Sequence, residues 1–246
     1  MQDWYKDWFN SPYYHLLYNH RDEKEAAHFI NNLLTFLNPP AGSKMLDIAC
    51  GKGRHAFQLS SRGHDVTGID LSISSIQEAK QNESDTLQFF VHDMRQPFRI
   101  NDFDYAFNFF TSFGYFDSKG EHHSAIRTIA QSLKKGGVLV LDYLNAEKSD
   151  ITAESDQIRN VEGIIFHISK GKDSSYLTKK IMIEDPALSS PLTFMEKVAA
   201  FNIDDFEEMF LKEGLIIEHI FGDYELNPFQ KATSPRLIMV ARKLDQ

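Results

Sequence analysis

The chain has 246 residues, 42% hydrophobic and 25% charged, with 26 Lys and Arg against 35 Asp and Glu for a net charge of −9. That length suits one large domain, alone or with a small insert, and buries enough surface to need no disulfide or metal staple. The composition excludes global disorder, no run of about 18 apolar residues exists to span a membrane, and the acidic balance without a basic stripe argues against nucleic acid.

The first fourteen residues, MQDWYKDWFNSPYY, lack the basic region and apolar core of a secretory signal, and the single cysteine, Cys50, permits no intrachain disulfide. A cytoplasmic location is expected. Residues 1–43 form an aromatic segment followed by a helix over Asp22–Leu37. There Ala26, Phe29, Ile30, Leu33, Leu34 and Leu37 fall at helical spacing, and Asn38-Pro39-Pro40 ends the run.

Residues 44–149 alternate strand and helix. Strands are expected at Lys44–Ala49, His64–Ile69, Thr86–Val91, Phe103–Phe110 and Gly137–Leu144. Helices are expected at Gly53–Ser61, Ser72–Asn82 (with Ser72 as cap) and Gly120–Leu133. Such alternation implies a parallel sheet covered on both faces. Residues 150–201 break the rhythm, with antiparallel strands expected at Ile158–Ser169, Tyr176–Ile183 and Leu192–Phe201. Residues 202–246 resume it with a helix at Ile203–Glu213 and strands at Leu215–Phe221 and Arg236–Arg242. The connection between those last strands is too short for a crossover helix, so they are expected to run antiparallel.

The informative stretch runs from Met45 to Ala56, MLDIACGKGRHA, where a strand ends, a glycine turn follows and a helix begins. Glycines let a ligand approach the backbone, and a helix N-terminus offers unpaired amides. Asp70 ends the next strand, where a carboxylate can accept both hydroxyls of a ribose. Gly51, Gly53 and Ala56 also satisfy a dinucleotide fingerprint, with Asp70 placed 19 residues past Gly51. Asp47 weighs against it, because a carboxylate before the turn repels a pyrophosphate but suits a cationic ligand without phosphate. S-adenosylmethionine, with its ammonium, sulfonium and ribose, has that character.

The stretches Leu46-Asp-Ile-Ala-Cys-Gly-Lys-Gly53 and Gly68-Ile-Asp-Leu-Ser72 resemble those of class I S-adenosylmethionine-dependent methyltransferases of the small-molecule type. The resemblance continues through Val91–Arg95, Phe103–Phe109 and Leu133–Leu139 to the closing strand pair. It implies a doubly wound α/β Rossmann-like sheet, mostly parallel with an antiparallel last strand, to which the residues at 150–201 add a small antiparallel β insert after the fifth strand. It further implies that Asp47 and the turn Ala49, Cys50, Gly51 and Gly53 hold the methionine moiety, and that Asp70 binds ribose. Leu71 packs on the adenine, Asp93 accepts from its amino group beside the Met94 backbone, and Phe109 adjoins the sulfonium. Ala49 stands where the family often has glycine.

Methyl transfer from a sulfonium is an in-line displacement in which positioning carries much of the rate, so a general base is optional. Candidate acceptor-side residues are Tyr13, Tyr14, His15 and Tyr18 near the N-terminus, Tyr115 after the fourth strand, and Asp142 and Tyr143 at the end of the fifth. Of these His15, Tyr115 and Tyr143 are the catalytic candidates, with Tyr14, Tyr18, Tyr115 and Tyr143 as substrate contacts. Packing is an equal reading for the N-terminal residues, and a strand-end carboxylate the preferred one for Asp142. Arg54 could reach a carboxylate or simply be solvated. Glu121-His122-His123 diverge on a helix, which favours a solvated helix start over a metal site. No metal is expected. The reading is transfer to N or O of a small-molecule acceptor. An NAD-dependent oxidoreductase, or a protein that binds the cofactor without catalysing transfer, is the alternative. The insert and the N-terminal segment are expected either to cover the active site or, for the insert, to form a homodimer surface.

Overall fold

A computed structural model describes residues 4–18, 23–148 and 155–244. Two short helices open it, α1 at Trp4–Phe9 and α2 at Pro12–Leu17, the second capped by Ser11, whose hydroxyl accepts from the Tyr13 amide. Helix α3 covers Glu23–Leu37, and residues 19–22 before it lie outside the described residues.

The core then winds as β1 (Lys44–Ile48), α4 (Arg54–Ser60), β2 (Asp65–Asp70), α5 (Ile73–Ala79), β3 (Leu87–Val91), β4 (Phe103–Asn108), α6 (Lys119–Ser132) and β5 (Leu133–Leu144). After the insert come α7 (Ile203–Lys212), β10 (Leu215–Phe221) and β11 (Arg236–Lys243). The seven strands order as β3-β2-β1-β4-β5-β11-β10, with β11 antiparallel to both neighbours and the others parallel. Alternation along each strand feeds two cores. Met45, Phe107 and Val140 pack under α3, α4 and α5, while Leu46, Ala106 and Leu139 pack under α6 and α7. Ser72 caps α5 as expected, accepting from the Ser75 amide.

The insert is a four-stranded antiparallel meander, β6 (Ser155–Val161), β7 (Ile164–Lys172), β8 (Tyr176–Glu184) and β9 (Leu192–Ala199). The single strand expected over Ile158–Ser169 is therefore two. Glu162 and Gly163 both take positive φ (53° and 85°) and close a two-residue hairpin that pairs Val161 with Ile164. Apolar residues on both sides of that turn hid it in the sequence. One face of the meander presents Phe166, Ile168, Ile181 and Ile183, and these bury Trp8 and Leu17 of the N-terminal helices in a third apolar cluster.

Candidate active site

The turn after β1 is bent by three left-handed residues, Ala49 (φ 57°), Gly51 (φ 56°) and Gly53 (φ 81°). At Gly53 an added Cβ would lie 2.4 Å from the Phe89 ring, and at Gly68 it would lie 2.5 Å from the same ring. Both glycines therefore let the turn settle onto β2 and β3. Gly51 meets nothing within 4 Å, leaving its backbone open to the cavity beyond.

Two carboxylates stitch this turn together. Asp70 accepts from the Gly51 amide at 2.8 Å and from the Ser72 amide at 2.7 Å. Asp47 is almost fully buried and accepts from the Ala56 amide at 3.1 Å. Burial, with Asp70 nearby, pushes the Asp47 carboxyl up to about 8, against the smaller opposing effects of that amide bond and Arg54. A buried acid so short of compensation fits a ligand that brings a positive charge. The Cys50 thiol is pushed well up by burial and is no nucleophile. Asp93 is clasped by Arg95 through bonds of 2.7–3.1 Å, and Arg95 reaches on to Glu121 at 2.6 Å. Phe109 stacks at 4.5 Å from the ring of His55, whose burial holds it neutral.

Asp47, Cys50, His55, Asp70, Asp93 and Phe109 open into one cavity of about 1130 Å³ at the carboxyl ends of β1–β4. Asp47, Ala49, Cys50, Gly51, Gly53, Asp70, Leu71, Asp93, Met94 and Phe109 line its floor. The location obeys the rule that open α/β sheets bind ligands outside the carboxyl edge, where the strand order reverses.

Residues 45–137 match a family model described as a methyltransferase domain. Over those residues the chain is similar to a methyltransferase domain, and its fold is that of S-adenosylmethionine-dependent methyltransferases. A Streptomyces venezuelae relative named as a dTDP-3-amino-3,4,6-trideoxy-alpha-D-glucopyranose N,N-dimethyltransferase is 26% identical over 192 residues, 74% of this chain and 79% of that protein. In fold, the chain resembles an S-adenosylmethionine-dependent methyltransferase from Clostridium acetobutylicum ATCC 824, with TM-score 0.78 and 18% identity over 94% of this chain and 96% of that one. It also resembles the sugar N-methyltransferase KedS8 from Streptoalloteichus sp. ATCC 53650, with TM-score 0.72 and 20% identity over 94% and 93%. These matches give no support to an oxidoreductase.

The roof of the methyltransferase cavity comes from the N-terminal helices and the insert. Tyr14, His15 and Tyr18 line it, with Tyr115 from the loop after β4. Tyr115 packs edge-on to Phe9 at 5.2 Å. Burial first, then Lys52, pushes the His15 imidazole down, so it is neutral at pH 7 and able to take a proton. Tyr13 turns away to donate to Asp185 at 2.7 Å.

Tyr143 corrects an expectation. It is fully buried outside the cavity lining, and its hydroxyl donates to the Ala199 carbonyl at 2.5 Å, over Gly114, where any Cβ would strike it. Residue alternation at the end of β5 sends it into the α6–α7 core instead of the site. His122 departs as well: it is buried beside Phe113, Phe116 and Phe201 with its Nδ1 on the Ser118 carbonyl, so only part of that helix start is solvated. Among the described residues no His, Cys, Asp and Glu cluster could hold a metal.

The residues that organise the site include Asp142, the strand-end carboxylate of the sequence reading, and others that carry no sequence signal. Asp142 is a buried organiser: it accepts from the Phe110 amide at 2.8 Å, from Arg236 Nε at 2.7 Å and from the Tyr224 hydroxyl at 3.2 Å. Through it the left-handed pair Phe110 (φ 57°) and Thr111 (φ 59°) is pinned at the cavity rim. Glu196 of β9 accepts from Trp8 Nε1 at 2.7 Å and from the Tyr18 hydroxyl at 2.8 Å, and Lys179 also bonds Tyr18. These contacts lock the two pieces of the roof together.

Proposed function

We propose that the protein transfers a methyl group from S-adenosylmethionine to nitrogen or oxygen of a small-molecule acceptor enclosed between the sheet edge and the roof. The observation that carries this reading is the shared cavity, with carboxylates and a glycine turn on its floor and tyrosines with a neutral histidine above. When bound, S-adenosylmethionine supplies the activated methyl group. On this reading Asp47 neutralises the ammonium side of the donor, Asp70 takes the ribose hydroxyls, and Leu71, Asp93 and Met94 hold the adenine. Phe109 and His55 wall the reacting end. The roof excludes water and sets the approach angle, which is where most of the acceleration of a displacement on an activated donor arises. His15 and Tyr115 are the groups able to receive a proton or steer a lone pair. The amino-sugar relative favours an amine acceptor. The single buried Cys50 agrees with a cytoplasmic location.

The test is calorimetry with S-adenosylhomocysteine on wild type and Asp70→Ala, followed by a methyl-transfer screen over amines and hydroxylated acceptors. Removing Asp70 deletes ribose bonds worth on the order of 1.5–3 kcal/mol, a loss of roughly 10- to 100-fold in affinity. Unchanged affinity in a folded variant refutes the ribose assignment. Tight binding without transfer to any acceptor favours a binding protein over an enzyme.

A further inference from the structure

The inner face of the insert carries a charge pattern that the donor does not explain. Along one cross-strand row Lys170 of β7 sits directly opposite Lys179 of β8, and Lys179 sits opposite Glu196 of β9. All three line the cavity, as does Arg159 of β6 on the same face. Like charges directly opposite each other destabilise a strand pair. Glu196 answers only one of them: its Oε2 lies 3.7 Å from Lys179 Nζ, while its Oε1 serves Trp8 and Tyr18. Among the described residues neither Lys170 nor Arg159 has a carboxylate partner. The remaining carboxylates of the cavity are Asp47, Asp70 and Asp93 at the strand ends and Glu78, which is paired with Lys52. Outside the insert the lining thus mixes Asp47, Asp70 and Asp93 with Arg54, with Lys52 paired to Glu78 and with Arg236 paired to Asp142, whereas the roof carries cations in excess of Glu196.

We infer that the roof holds an anionic group of the methyl acceptor, a phosphate or carboxylate, on Lys170 and Arg159 beside the Lys179–Glu196 pair. This rests on the methyltransferase reading of the cavity. The two cations differ in kind. Arg159 offers a planar fork to two oxygens of one group, and Lys170 a point charge. They stand at separate rows of the face, Arg159 across from Phe166 and Lys170 across from Lys179, so an extended anion or one with several oxygens meets both.

The test uses simple dianions as probes. Inorganic pyrophosphate and succinate are titrated calorimetrically into protein saturated with S-adenosylhomocysteine, which keeps the donor site filled. Wild type is expected to bind one of them, pyrophosphate marking a phosphate-bearing acceptor and succinate a dicarboxylate-like one. The double variant Lys170→Gln with Arg159→Gln is expected to lose at least tenfold in that affinity. The charge-preserving pair Lys170→Arg with Arg159→Lys should retain it to within threefold. S-adenosylhomocysteine affinity should stay within twofold in every variant. If neither dianion binds wild type, or the neutralised variant binds equally well, the inference fails while the donor site stands. Failure of wild type to bind S-adenosylhomocysteine refutes the underlying methyltransferase reading instead.

Discussion

Asp47 shows how far one buried charge can steer a site. The folded chain holds the Asp47 proton to about pH 8, whereas the ordinary value is 3.8. Below about 8 a cationic ligand must displace that proton, so S-adenosylhomocysteine affinity should rise by up to about tenfold per unit between pH 6 and 7.5. Calorimetry on Asp47→Asn should show weaker binding and a flat profile over that range. The sign for stability is opposite. The unfolded chain releases the proton near 3.8 and the folded one near 8, so the unliganded protein loses stability as pH rises through that window, and Asp47→Asn should abolish the slope. Ala49 offers a second test. Its φ of 57° explains why glycine is common there: the left-handed region costs an L-residue about 1–2 kcal/mol, set against the greater entropy that glycine loses on folding. Ala49→Gly should therefore stabilise the protein by about 0.5–1 kcal/mol in urea denaturation. The placement of Asp47, Asp70 and the glycines could be read from sequence because it depends on local spacing around one turn. Lys170, Arg159 and Glu196 could not, because their meeting depends on strand register across residues far apart in the chain.

At the scale of elements, the core strands and helices were legible because each is a short apolar run or a clean helical period between turn residues. Their ends moved by only a few positions, most at β5, which begins at Leu133 and not Gly137. The insert was less legible, since a two-residue turn with Glu162 in the left-handed region carries none of the usual Asn-Gly signal. Tyr143 was misplaced for a related reason: an aromatic at a strand end faces either the ligand edge or the core, and only register decides. The loop after β4 depends on the pair of Asp142 and Arg236, the first fully buried and the second largely so. Arg236→Met should leave Asp142 buried without its charge partner and cost about 3 kcal/mol or more in thermal or urea unfolding. Methyl transfer should fall further than stability alone explains, because Phe110 and Thr111 lose their anchor at the rim.

For the molecule as a whole, the sheet and the roof are separable in role. Replacing residues 152–198 with a short Gly/Ser linker should leave S-adenosylhomocysteine affinity within about threefold while abolishing transfer, since every floor residue lies outside the insert. The outer face of the meander still shows Ile158 at 70% and Met195 at 45% exposure, which keeps a dimer surface as the competing proposal. Retained turnover with an altered sedimentation coefficient would favour that surface over the roof.

The position of β11 has a consequence for how the protein is made. It follows β10 in the chain, yet it lies inside the sheet between β5 and β10. Until residues 236–243 leave the ribosome, β5 offers its unpaired backbone edge and β10 has no neighbour to join. An open, apolar strand edge is a template for other chains, so the interval before β11 arrives is the one in which the nascent protein is most exposed to aggregation. A stop codon shortly before Arg236 should thus yield insoluble protein, not a weakened enzyme, even though every residue of the cavity floor would already have been synthesised.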